Sequence, residues 1–375
     1  MNTFTSALAI LLCLLPQLTI AQVSIDQYKI AGAIQKSGTW FMKGKNINSV
    51  SIGVYNAGQT FTAHFGELQQ GAGNSPTDET VYEIASVTKT MASYLVAKAV
   101  REGKISLDDP VTGFLDGSYE NLTYEGTPIT IRHLLTHTSG LPGFLPEALN
   151  AVFTNKDPEA PFKYQTLEQA YSKEAFLQDL EQVVLASRPG EISAYSNTGA
   201  ELVGYILESV YQTDIQTLLK ESIWDAAGME NTFIHGDEQQ KAQLVKGYWM
   251  GNTRPSPNFE YNLWCTGSGV KSSLADMLQY LAFQLEAPDA VVSTSREVLH
   301  EVSTGNSIAY FWNVRVDRYG KFFHHHGGTG GVQNWLFVFP KYDLGISIIT
   351  NHSDYSTPGR LSKAAKRILQ EIVPD

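Results

Sequence analysis

Strand-like runs sit near both ends of this chain while helical patterns fill its middle, so the two ends are expected to meet in one sheet. Residues 50–55 and 60–65 are short β-rich runs separated by Asn56-Ala57-Gly58, a hairpin signal. Strand chemistry returns at 308–316, 321–323, 335–339 and 344–350. Between them, residues 91–100 carry Met91, Leu95, Ala99 and Val100 near helical spacing. Residues 201–210, 215–224 and 274–285 are further helix candidates, and 362–372 closes the chain as an amphipathic helix. This order predicts an α/β (α+β) fold, an antiparallel β-sheet flanked by helices with an inserted, mainly helical lobe. The α/β part would span about 22–107 and 290–375, and the lobe about 108–289. No repeat or linker divides residues 22–375 into independent modules.

A length of 375 residues is enough for a large core, and 43% hydrophobic with 17% charged residues is a globular balance. The formal charge of −11 argues against nucleic acid as a partner, which needs a basic face. Residues 1–21 read as a signal peptide. Residues 7–15 are unbroken apolar, Pro16 and Gln17 end the run, and Ala21-Gln22 fits a small-residue cleavage site. The run is shorter than the ~20 residues a membrane span needs, so no stable membrane insertion is expected. Two features are off-pattern: residues 1–6 lack Lys and Arg, and Cys13 follows Leu12 rather than a small residue. The mature chain would be secreted or periplasmic. It would keep one cysteine, Cys265, and no intrachain disulfide.

Three motifs carry chemistry. Ser86-Val87-Thr88-Lys89 opens the first predicted helix, and a spacing of three puts both side chains on one face. A serine hydroxyl needs a base, and a lysine serves if desolvation lowers its pKa. Alone, the pattern also fits a capping serine with a solvated lysine. Tyr195-Ser196-Asn197 follows Arg188-Pro189-Gly190 and precedes a helical run. A phenol can share proton transfer and an amide can hold lysine or substrate; the bland reading is a turn with Asn197 as helix cap. The third is His325-His326-Gly327-Gly328-Thr329-Gly330-Gly331, where dense glycine lets backbone N–H groups approach a ligand. His324 to His326 suggest a metal, but strand neighbours face opposite ways, so at most two converge. No His-Glu-x-x-His pattern supports one. No metal and no cofactor are expected.

With these motifs in order, the stretch 50–353 resembles the family of class C β-lactamases, D-Ala-D-Ala carboxypeptidases, penicillin-binding proteins and related serine esterases. Residues 102–110, 131–142, Ala227-Gly228-Met229 and 272–277 are similar to further family segments. The resemblance implies a serine hydrolase cleaving an amide or ester through an acyl-enzyme, with Ser86 as nucleophile, Lys89 as base and Tyr195 as proton shuttle. It implies that Asn197, His325, His326 and Gly327 bind substrate, and that the N–H groups of Ser86 and Gly328 form the oxyanion hole. His137 lies in a segment the family uses structurally, so a buried, hydrogen-bonded turn is expected there. The alternatives are a β-lactamase, a sensor that stays acylated, or an inactive binding protein.

One position departs from the family. Its third motif reads Lys/His-Thr/Ser-Gly, whereas this chain has His325-His326-Gly327. Neutral histidines would grip a substrate carboxylate poorly, favouring peptidase or esterase work over β-lactams. The segment 143–171, with Phe144, Phe153, Pro161, Phe162 and Tyr164, is expected either to wall the acyl group or to be a surface loop.

Overall fold

A computed structural model describes residues 25–259, 263–286 and 289–373. The signal-peptide segment 1–21 lies outside them. The sheet uses strands β1 (Ser49–Asn56), β2 (Gln59–Gly66), β3 (His300–Ser303), β4 (Asn306–Ile308), β5 (Asn313–Asp317), β6 (Gly320–Gly328), β7 (Gln333–Phe339) and β8 (Leu344–Thr350). These eight run in the order β2-β1-β8-β7-β6-β5-β4-β3, with every neighbour antiparallel. The seam between the chain's two ends is the β1–β8 pair, with Ile52 opposite Ile348. That pair is buried along its whole length, yet both strands alternate: Val50, Ile52, Val54, Leu344, Ile346 and Ile348 face one helix layer, and small residues such as Gly53 and Gly345 lie under the helix on the other face.

Helices cover both faces of the sheet. On one side α1 (Gln27–Met42) and α5 (Thr357–Ile372) bury Ile30, Ile34, Phe41, Leu361 and Ile368 against Val50, Ile52, Val54, Ile346 and Ile348. On the other, α4 (Leu274–Leu285) lies directly on β1 and β8. It can do so because a Cβ on Gly345 would fall 2.7 Å from Leu281, closer than packed atoms allow. The same side holds the larger core, where α2 (Thr88–Arg101) buries Met91, Leu95 and Val96 in one cluster with Leu202 and Ile206 of α3 (Asn197–Tyr211). Short helices such as Ile131–Leu135, Ala160–Gln169 and Lys173–Leu180 fill the middle of the chain.

Three local expectations change. The run 308–316 is two strands, because residues 309–312 turn inward with every side chain buried. Phe311, at φ +62°, donates its N–H to Leu135 O at 3.0 Å. Helix 215–224 ends in a π turn over Lys220–Trp224. The strand expected at 321–323 continues as β6 through the histidines to Gly328, so the glycine-rich motif is half strand. No helix among the described residues is long and apolar enough to cross a membrane.

Candidate active site

A short strand, Val81–Glu83, leads into the tight turn Ala85–Val87, from which α2 starts at Thr88. Ala85 sits at φ +48°, a left-handed conformation that costs a non-glycine residue and is held by its surroundings. The turn leaves Ser86 half-exposed, whereas Lys89, one turn on, is completely buried. The Lys89 Nζ lies 3.2 Å from Ser86 Oγ, 2.8 Å from Asn197 Oδ1 and 2.6 Å from Gly267 O. A carbonyl and an amide oxygen can only accept, so they take two N–H bonds. A neutral amine then has its lone pair left for the Ser86 hydroxyl proton. Burial lowers Lys89 from its ordinary 10.5 to about 7, against the opposing pull of the Glu201 carboxylate. Glu201 is itself buried on α3, one turn beyond Asn197, and burial raises it to about 7.

Tyr195 joins this pair from the other side. Its hydroxyl is hydrogen-bonded to Ser86, and burial of that group pushes the phenol well above its usual range. The residue as a whole is 49% exposed and lines the cleft, and its ring lies 4.9 Å from Lys89 Nζ. Ser196, not Asn197, caps α3: its Oγ accepts from Gly199 N at 2.9 Å. That frees the Asn197 amide to meet Lys89. His137 is buried beside Tyr195, with ring centroids 4.4 Å apart. Its Nδ1 accepts from Ser196 N at 3.2 Å and its carbonyl accepts from Ala194 N at 2.7 Å. Burial, then Lys89, lower its imidazole to about 3. A neutral ring that bonds backbone at Nδ1 shapes the tyrosine segment.

The third wall is the end of β6. Strand alternation sends His324 and His326 to one face, where their rings lie 5.7 and 4.9 Å from Trp335, and His325 to the other. Gln333 donates its Nε2 to Ser353 Oγ at 2.8 Å, so its oxygen faces His326 Nε2 at 2.7 Å and that nitrogen carries the proton. The His325 Nδ1–H donates to His326 O at 2.8 Å. Burial holds both imidazoles below their ordinary 6.5. Gly327 packs under the Ala85–Val87 turn, and a Cβ there would fall 2.1 Å from Ile84 O. Asn334 Nδ2 ties the same carbonyl at 3.0 Å. Gly327→Ala should therefore lower kcat/KM about a hundredfold, because the added methyl pushes β6 off the turn. Steady-state kinetics at unchanged far-ultraviolet dichroism checks it.

Ser86, Tyr195, Asn197, His325, His326 and Gly328 line one cleft of about 600 Å³. Of the aromatic segment, Phe144, Phe153 and Tyr164 line it as well. Phe162 instead lies 3.5 Å beneath the Arg254 guanidinium, and Pro161 packs on Gly330. Gly267, Trp249, Phe259, Asp354 and Tyr355 were not singled out by sequence, since no motif marks them and they converge from distant segments.

The family model described as Beta-lactamase matches residues 39–370. Protein flp of Staphylococcus aureus (strain COL) is 26% identical over 330 residues, covering 83% of this chain and 61% of that protein. The chain thus spans about three-fifths of that relative's length. The D-alanyl-D-alanine-carboxypeptidase/endopeptidase AmpH of Escherichia coli (strain K12) is 24% identical over 350 residues, covering 88% and 86%. A solved beta-lactamase/D-alanine carboxypeptidase from Yersinia pestis shares the fold with a TM-score of 0.78 at 20% identity, covering 92% of this chain and 98% of that one. With the family model matched over most of its length, this chain belongs to the beta-lactamase family.

Proposed function

We propose that this chain is an exported serine hydrolase of the D-Ala-D-Ala peptidase and esterase kind, cleaving an amide or ester through an acyl-enzyme on Ser86. The observation that carries the reading is the fully buried Lys89, 3.2 Å from Ser86 Oγ and lowered to about 7. In this reading neutral Lys89 takes the Ser86 proton as Oγ attacks the carbonyl carbon. The N–H groups of Ser86 and Gly328, which line the same cleft, take the oxyanion. Tyr195 passes the proton to the leaving group, and Asn197 holds Lys89 by its 2.8 Å bond. Water then attacks the ester by the reverse proton path, restoring Ser86. Neutral His325 and His326 support a preference for substrates without a carboxylate at that end. The name of the AmpH relative supports a peptidase, and the motif departure at His326 supports neutral substrates.

A fluorophosphonate probe should add once, on the peptide containing Ser86. Turnover of nitrocefin, a D-Ala-D-Ala peptide and short nitrophenyl esters then ranks the activities. A label on another serine sinks the reading, and a stable penicillin adduct without turnover marks a sensor instead. Export is checked by the intact mass of secreted protein, which should begin at or near Gln22.

A further inference from the structure

The cleft beside Ser86 has a one-sided charge pattern. Among the described residues no arginine or lysine lines it, and Lys89 beneath it is fully buried. Its two histidines are held neutral by burial. Among the described residues the carboxylate on its wall is Asp354. Asp354 Oδ1 accepts from Ser356 N at 2.7 Å and from Ser356 Oγ, Thr357 N and Thr357 Oγ1 at 2.8 Å each, which fixes the start of α5. Helix capping accounts for that oxygen. Oδ2 faces His352 Nε2 at a long 3.3 Å and keeps acceptor capacity. Burial alone would raise this carboxyl, but the Ser356 and Thr357 donors outweigh it and hold it at about 2, so it is ionised throughout the neutral range.

Aromatic rings stand beside this charge. Tyr355 follows Asp354 in the chain, its ring 5.5 Å from Trp249, and Phe153 lies 5.4 Å from Trp249. The polar edges of the first two are already occupied. The single Tyr355 Oη–H is shared between Phe153 O at 2.9 Å and Asn155 O at 2.8 Å, and Trp249 Nε1 donates to Asp157 O at 2.8 Å. What reaches the cleft is ring surface, mostly that of Tyr355, 48% exposed, with Trp249 nearly buried at its edge; the ring quadrupole attracts cations. We propose that Trp249, Tyr355, Phe153 and Asp354 form a subsite for a positively charged amine, primary or quaternary, carried by the substrate that Ser86 attacks. An anionic group in the same place would meet Asp354 and find no arginine or lysine among the described lining residues. The overall charge of −11 adds to this bias at long range.

The subsite rests on the Ser86 reading for its kinetic readout, so binding is measured separately. Calorimetry would compare benzyltrimethylammonium, benzyl alcohol and phenylacetate. Kinetics would compare nitrophenyl esters of equal length ending in ammonium, methyl or carboxylate. The ammonium ester should exceed the methyl ester in kcat/KM by about tenfold, and the carboxylate ester should fall below both. Asp354→Asn, which keeps an oxygen for the helix cap, should collapse the ammonium-to-methyl ratio towards one. Trp249→Leu should lower it by a separate route, and melting curves would confirm that both variants fold. An ammonium ligand that binds no better than the alcohol, or a ratio that neither substitution moves, overturns the subsite. If no ester is turned over and Ser86 stays unlabelled, the hydrolase reading fails while the binding comparison still decides the subsite.

Discussion

Replacing Lys89 by methionine should slow acylation of Ser86 by more than about a thousandfold and yet make the protein more stable below pH 7. The two effects share a cause. Lys89 is fully buried and its ammonium is lowered from 10.5 to about 7, mainly by desolvation. A displacement of that size corresponds to at most about 5 kcal/mol of penalty for charging the group in place. Methionine fills a similar volume without it. Against this gain, Asn197 Oδ1 and Gly267 O lose their donor, at about 1–3 kcal/mol for each unsatisfied acceptor. The net gain expected at pH 6 is therefore small, about 1 kcal/mol. Its pH dependence is the sharper signature. The unfolded lysine keeps its ordinary value, so between about 7 and 10.5 the unfolded chain binds more protons and the wild type gains stability as pH rises. The advantage of Lys89→Met should thus be greatest below pH 7 and fade towards pH 10. Denaturant titrations at several pH values, with probe-labelling rates alongside, test both halves. Rapid labelling of the variant, or a stability deficit that is largest in acid, would refute the account.

Most of this arrangement was legible in the sequence, for physical reasons that differ by residue. The β1–β2 hairpin was legible from Asn56-Ala57-Gly58 between two β-rich runs, and β8 from its β-branched Ile346, Ile348, Ile349 and Thr350. The helix 274–285 was readable to the residue because Ser273 caps it and its apolar stripe faces the sheet. By contrast α1 gave no signal: Gly32, Ser37, Gly38 and Thr39 are weak helix formers, and tertiary packing on β2 overrides them. The β3–β4 hairpin was missed because it is an exposed edge with little apolar alternation. Within the site, Ser86, Lys89, Tyr195 and Asn197 were named because short motifs mark them. Gly267 was invisible, since a backbone carbonyl leaves no residue-type signature. Glu201 was invisible too, because a glutamate in an amphipathic helix reads as a solvated face until the fold buries it.

That buried glutamate leads to the last expected result, a loss of about a hundredfold in kcat/KM between pH 7 and pH 5 for an uncharged ester. The base must be neutral to act, and Lys89 becomes protonated as pH falls through about 7. The other groups near it are shifted away from 7. His137 is lowered to about 3, His325 lies well below its ordinary value, His326 is also lowered, and Tyr195 is raised. Asp354, on the cleft wall, titrates near 2. Among the described carboxyls, Glu201 and Glu83 are each raised by burial to about 7. Glu201 is the one whose charge acts on Lys89, so the two titrate as a pair with shared apparent values. The sign follows from the attraction. An ionised Glu201 favours the ammonium, so Glu201→Gln should ease loss of the Lys89 proton and move the acid limb to lower pH. Glu83→Gln should leave the limb in place, because Glu83 interacts instead with Lys271, Phe259 N and Thr329. The readout is the midpoint of the kcat/KM profile rather than its height, since either substitution can disturb packing and lower the plateau. A limb that moves with Glu83 and not with Glu201, or one that is absent down to pH 5, would mean that Lys89 is not the group whose proton loss switches Ser86 on.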